Sequence, residues 1–156
     1  MNVEHNFNLL IVAFRQMEGE PRELASLLNT ALKNTKWGTY QKHGITQKAL
    51  IRVRANRAEK PKDGYWFKGV EAAHVHQKAS WTLRLITEDI DNPYQFMLER
   101  DKCMLTTSEE NDLEGTAHWS VITPLDPSLF GNGARPNILR RHPKFSDFIA
   151  LLDTVN

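Results

Sequence analysis

The sequence predicts an α+β fold, and three observations carry that expectation. Short apolar, β-prone runs alternate with stretches whose apolar residues follow helical spacing. Turn-forming Gly, Pro, Asn and Asp residues separate them. No repeat and no low-complexity run interrupts the 156 residues, so one domain of ordinary size is expected. A helix between successive strands implies right-handed crossovers and a sheet covered by helices on one face. The nearest architecture is a ferredoxin-like βαβ core with a mixed or antiparallel sheet over about residues 6–123. A loop and a C-terminal helix fill 124–156.

Phe7 to Phe14 is an apolar run and reads as a buried first strand. Pro21 suits the first turn of a helix over 21–34, with Leu24, Leu27, Leu28, Ala31 and Leu32 on its apolar stripe. "ALIRVRAN" alternates, Val53 inward and Arg52 and Arg54 outward, as a second strand does. Ala72, Val75, His76 and Ala79 sit at helical spacing, and the two adjacent alanines favour a helix over 70–79. "WTLRLITED" reads as a strand with Trp81, Leu83 and Leu85 on one side. "YQFMLERDKCML" returns as a second strand of that hairpin, which would span Trp81 to Leu105. "TTSEENDLEGT" reads as an acidic loop and "AHWSVITPL" as a further strand. Phe145, Phe148, Ile149, Leu152 and Val155 make one stripe of a closing helix.

Net charge is +1, but it is unevenly spread. From Lys33 to Arg84 there are twelve Lys/Arg and three acids; from Leu85 to Ser128 there are ten acids and two bases. Two opposed solvated faces, or a basic surface for an anionic ligand or nucleic acid, would both give this pattern. Cys103 is the single cysteine, so no internal disulfide forms, which fits a reducing compartment. Leu9 to Phe14 is too short to span a membrane, and no signal-peptide pattern precedes it. A cytoplasmic protein without membrane contact is the expectation.

His74 and His76 lie one residue apart in "EAAHVHQKASW". On a strand they would share a face and could share a ligand; on the expected helix they diverge. A metal site would need three or four converging ligands, and no spacing cue brings Cys103 or His118 to them, so no metal is expected. His118 and Ser120 in "AHWSVI" look like half of the paired His-x-Ser/Thr motif of two-histidine phosphoesterases, but "AHVHQ" lacks the second hydroxyl. Gly131 and Gly133 fall in a loop with no helix start behind them, unlike a phosphate-binding loop. Tyr65, Trp66 and Phe67 sit among cations in "NRAEKPKDGYWFKG", a mixture found in single-strand nucleic-acid binders.

One family resemblance is present. "FNLLIVAFR", a helix, "GTYQK" and "TQKALIRVRA" resemble the N-terminal half of the small phage enzymes that degrade S-adenosylmethionine. The likeness covers about 55 residues in sequence and continues in element order to residue 105. It implies a homotrimeric lyase of the host cytoplasm, of anti-restriction type, that needs no cofactor. The substrate's own carboxylate would displace methylthioadenosine and leave homoserine lactone. By the resemblance Tyr40 matches the active-site tyrosine, and an aromatic face suits a sulfonium. The family's acid falls where this chain has Gln47 and Lys48, so Glu71 and Glu59 are the nearest carboxylates for that role. Phe14, Arg15, His76 and Arg52 would line the substrate. The rival expectation is a non-enzymatic protein that uses Arg52, Arg54, Arg57, Lys60 and Lys62 with the Tyr65–Phe67 loop to hold nucleic acid or a host defence protein.

Overall fold

In the computed structural model, residues 2–33, 37, 40–62, 64–113, 115–131 and 133–156 are described. The α+β class is what forms, with seven α-helices and a four-stranded mixed sheet among the described residues. Two helices come first. α1 (Val3–Gln16) starts at Asn2, whose side chain accepts the His5 N–H. The run expected to be a first strand is therefore helical. Phe7 and Ile11, four residues apart, are buried, while Leu9 between them and Val12 after them face out. A short apolar run does not distinguish strand from helix; burial on a 3.6-residue period does. α2 (Pro21–Ala31) follows, with Leu24, Ala25 and Leu28 inward and Leu27 turned to solvent.

β1 (Gln41–Thr46) passes directly into α3 (Gln47–Glu59), with Thr46 as the cap that accepts the Ala49 N–H. "ALIRVRAN" is thus helix, not strand. Ala49, Leu50, Val53 and Asn56 are its buried face, and the alternation of arginines is a coincidence of spacing. A 3₁₀ turn (Gly64–Phe67) leads to β2 (Val70–His74). Here a helix was expected and a strand forms. Its backbone groups pair with β3 (Lys102–Thr107), from Val70 opposite Thr107 to His74 opposite Cys103. Cross-strand pairing overrides the alanines' helix preference.

The expected hairpin from Trp81 to Leu105 is replaced by α4 (Lys78–Thr87) and α5 (Pro93–Arg100). Trp81 and Leu85 are buried four residues apart, and Asn92 caps α5 ahead of Pro93. After β3 comes α6 (Ser108–Asn111), a single turn, then β4 (Ile122–Pro124), only the tail of the strand expected over 117–125. α7 (Phe145–Thr154) closes the chain as expected, with Phe148 and Leu152 inward.

The sheet order is β2-β3-β1-β4, with β1 and β3 parallel and the two edge strands antiparallel to their neighbours. Two cores result. α3 and α7 cover Ile45, Val70 and Leu105 of the sheet. α1, α2, α4 and α5 enclose Phe7, Ile11, Leu28, Trp81, Leu85 and Met97. No helix among the described residues is long and apolar enough to cross a membrane.

One carboxylate ties the strand ends together. Glu110, 2% exposed, closes a capping box with Thr107 at the start of α6. Its Oε2 accepts from the Thr46 hydroxyl at 2.6 Å and the Thr107 N–H at 3.0 Å. Its Oε1 accepts from the Ser120 N–H at 2.8 Å and hydroxyl at 2.7 Å. Burial alone would push this carboxyl up, but the donors from Ser120, Thr46 and Thr107 outweigh it and hold the group below the usual carboxylate range. Its folded-state pKa is therefore the lower one. The stability it contributes is present above the ordinary carboxylate range and is lost as pH falls through the folded value. Glu110→Ala strands several buried donors and should cost about 3–5 kcal/mol in urea unfolding near neutral pH, in the range for broken buried charge networks. Glu110→Gln should flatten the loss of stability between neutral pH and about pH 3; an unchanged acid limb would show that Glu110 does not supply it.

Candidate functional site

A row of polar side chains crosses the sheet at one end. His74 on β2 and Lys42 on β1 both lie opposite Cys103 on β3, so the three share a face. Asp101, where α5 ends, is 1% exposed. Its Oδ1 accepts from His74 Nε2 at 2.9 Å and its Oδ2 from the Tyr40 N–H at 2.6 Å. With Asp101 ionised, the proton of this His74 tautomer sits on Nε2. Tyr40 has φ +61°, a left-handed conformation uncommon for a side chain of its size. The Asp101 hydrogen bond holds it there. The Tyr40 ring stands edge-on to His74, centroids 4.8 Å apart, and the Lys78 ammonium lies 4.6 Å from its centroid.

Lys42 is fully buried, and its ammonium donates to the carbonyls of Gly131 and Gly133. Burial pulls its pKa down to about 8, against the opposing influence of Cys103 and Asp101. Burial also pulls Lys78 down, and burial with the nearby Asp101 drives the Cys103 thiol far up. Two ammoniums and one carboxylate therefore share a poorly solvated seam between the two cores.

A second cluster lies around the 3₁₀ turn. Asn56, buried in α3, donates to the Trp66 and Lys68 carbonyls at 2.9 and 2.8 Å and locks the turn to the helix. The Lys60 and Lys68 ammoniums lie 4.7 and 4.8 Å from the Tyr65 ring centroid. The guanidiniums of Arg57 and Arg140 lie 5.6 and 4.9 Å from that of Trp66. Four cations from three separate segments thus surround two adjacent rings. Arg57 also pairs with Asp153 at 3.0 Å. Trp66 itself is 6% exposed and Phe67 packs against Phe130 and Phe148. The aromatics expected as stacking platforms are mostly core, and the cations are what faces solvent.

Of the residues expected around a substrate, only Tyr40 falls in the seam. His76 lies beyond the end of β2 and is exposed. Glu71 points to the other side of β2, where its carboxylate accepts from Ser108 and Asn111. Glu59 ends α3 in solvent. Arg52 reaches Glu109 at 3.4 Å. Phe14 packs on the helical core, and Arg15 donates to the Leu85 and Glu88 carbonyls at the end of α4. Tyr40's partners are instead Asp101, His74 and Lys78. His118 is exposed and lies ahead of β4 rather than on a strand. Among the described residues no group of three His, Cys, Asp or Glu gathers to hold a metal.

Sequence reasoning passed over Lys42, Lys78, Asp101 and Glu110. Only Glu110 left a signal, the Thr-x-x-Glu spacing of a capping box inside the acidic run. Asp101 is one charge in "ERDK", and nothing local separates it from its neighbours.

Two outcomes follow from the buried seam. Native Cys103 should resist thiol reagents and react fully only in denaturant, because burial both shields it and suppresses the thiolate; rapid labelling of folded protein would contradict this placement. For Lys42 the folded pKa, about 8, lies below the ordinary 10.5, so the unfolded chain holds more protons between the two. Its contribution to stability should rise with pH through that window and stay constant below it. Unfolding free energies at about pH 7 and pH 9.5 should show that rise as a wild-type minus Lys42→Met difference; two curves of equal slope would refute it.

Comparison of the chain with protein-family models, curated proteins and solved structures returned no match.

Proposed function

We propose that the protein binds the phosphate backbone of nucleic acid on the face formed by α3, the Gly64–Phe67 turn and the segment around Arg140. The observation that carries this reading is the gathering of Arg57, Lys60, Lys68 and Arg140 around Tyr65 and Trp66. Cation–π contacts contribute about 0.5–1 kcal/mol each at exposed sites, and like charges held this close oppose one another. A row of phosphates relieves that repulsion and releases counterions. Exposed Arg54, Lys62 and Arg141 lie close in sequence to this group and extend its charge.

Buried Trp66 offers no free face to a base, and ammoniums already flank Tyr65. Recognition on this reading is therefore electrostatic and indifferent to sequence. The S-adenosylmethionine reading has less to support it. The Tyr40 ring is already covered by the Lys78 cation, where a second cation would be repelled, and Glu59 and Glu71 are not among its partners.

Fluorescence anisotropy with duplex and single-stranded oligonucleotides at several salt concentrations tests the proposal. Four phosphate contacts give a slope of log K against log salt of about −3 to −4 for duplex. Lys60→Ala and Lys68→Ala should each weaken binding and reduce that slope by about one. Absence of binding at low salt, or binding that ignores salt, sinks the reading. Release of methylthioadenosine from S-adenosylmethionine by the same preparation would return the chemistry to Tyr40.

A further inference from the structure

The buried seam holds more positive charge than it neutralises. Among the described residues Asp101 is the one carboxylate in contact with it, and its two oxygens are taken by His74 and the Tyr40 N–H. The Lys42 ammonium is met by two backbone carbonyls. The Lys78 ammonium is not met. Its nitrogen is enclosed, yet no hydrogen-bond acceptor lies within reach among the described residues. Its neighbours are ring faces, Tyr40 at 4.6 Å and Trp81 at 5.9 Å. A ring face meets part of the charge but leaves three N–H donors of an ammonium without lone pairs to point at. A buried charged donor in that state is a costly feature unless something completes it.

We propose that Lys78 anchors a binding site for a small oxyanion, a carboxylate or a phosphate group, with Tyr40 and His74 as its walls. Geometry and charge select the class. The surplus in the seam is positive, so a metal ion or a sulfonium is repelled. The unmet groups are donors, so the ligand must bring acceptors. The nitrogen is enclosed, so the chemistry suits a compact anionic group and not a polymer backbone lying on the surface. Lys78 as a residue is only half-buried, and a rotamer change of its unbranched chain exposes the nitrogen to an incoming anion. Burial pulls the Lys78 pKa down, and the attraction of Asp101 opposes that pull without reversing it. The site is separate from the basic face, and either can fail without the other.

Thermal unfolding of the full chain in phosphate, acetate or chloride at constant ionic strength tests the proposal, with Lys78→Met beside the wild type. The expected result is a saturable rise in wild-type Tm with phosphate or acetate and at least a tenfold weaker response in K78M. Phosphate alone giving the rise identifies a phosphate ligand, and acetate alone a carboxylate. The same rise in K78M, or no saturable rise with either anion, overturns the proposal. Should K78M not fold, broadening of the phosphate ³¹P and [¹³C]acetate resonances by wild-type protein reads binding directly, and absence of broadening for both overturns it equally.

Discussion

The Glu110 carboxylate is the constraint from which the rest of the sheet follows. It joins the end of β1 through Thr46, the end of β3 through Thr107, and the approach to β4 through Ser120. These two parallel strands each turn straight into a helix, with no loop between. Such a turn leaves the first N–H groups of the helix open, and a threonine cap closes them on each side. The carboxylate fixes the two caps relative to one another. The Gln47 N–H donates to the Val121 carbonyl at 2.8 Å, and the Lys48 N–H to the Ser120 hydroxyl at 3.1 Å, so the segment ahead of β4 is held to the same point. A charge this deep is stable only because each oxygen has several donors.

At the other end of the sheet the balance is reversed. There the donors outnumber the acceptors. Asp101 spends both oxygens on orienting His74 and Tyr40, and a tyrosine backbone is held in a conformation that its side chain disfavours. This end lies between the sheet core and the helical core, where an apolar contact would be the simpler solution. Polar residues kept in such a place, against their desolvation, are what mark it as more than packing. The basic face differs in kind. Its cations are largely in water, each contact is weak, and its significance lies in their number and common sign.

The closing helix and the start of α2 were readable because their signals are local: an apolar stripe at helical spacing, and a proline at the first turn. α1, α3 and α4 read as strands in the sequence for one shared reason. Each carries an apolar run or a brief alternation of four to six residues, which fits both periods. β2 reads in the opposite sense, because Ala72 and Ala73 favour helix while β3 supplies the hydrogen bonds that decide. The histidines follow the backbone of β2. On the strand His74 faces Cys103 and meets Asp101, and His76 runs past the sheet into solvent.

Composition and pattern were enough for the α+β class, the concentration of positive charge before residue 85 and the presence of a basic aromatic turn, because these are sums or short-range patterns along the chain. The partners of Lys42, Asp101 and Glu110 lie up to 91, 61 and 64 residues away, and no local pattern encodes them. Four cations converge on Tyr65 and Trp66 for the same reason, since Arg140 arrives from the far end of the sequence. Which charges are buried, which are paired and which remain open is settled only when the strands register and the two cores close, because burial and pairing are properties of the packed chain and not of its order.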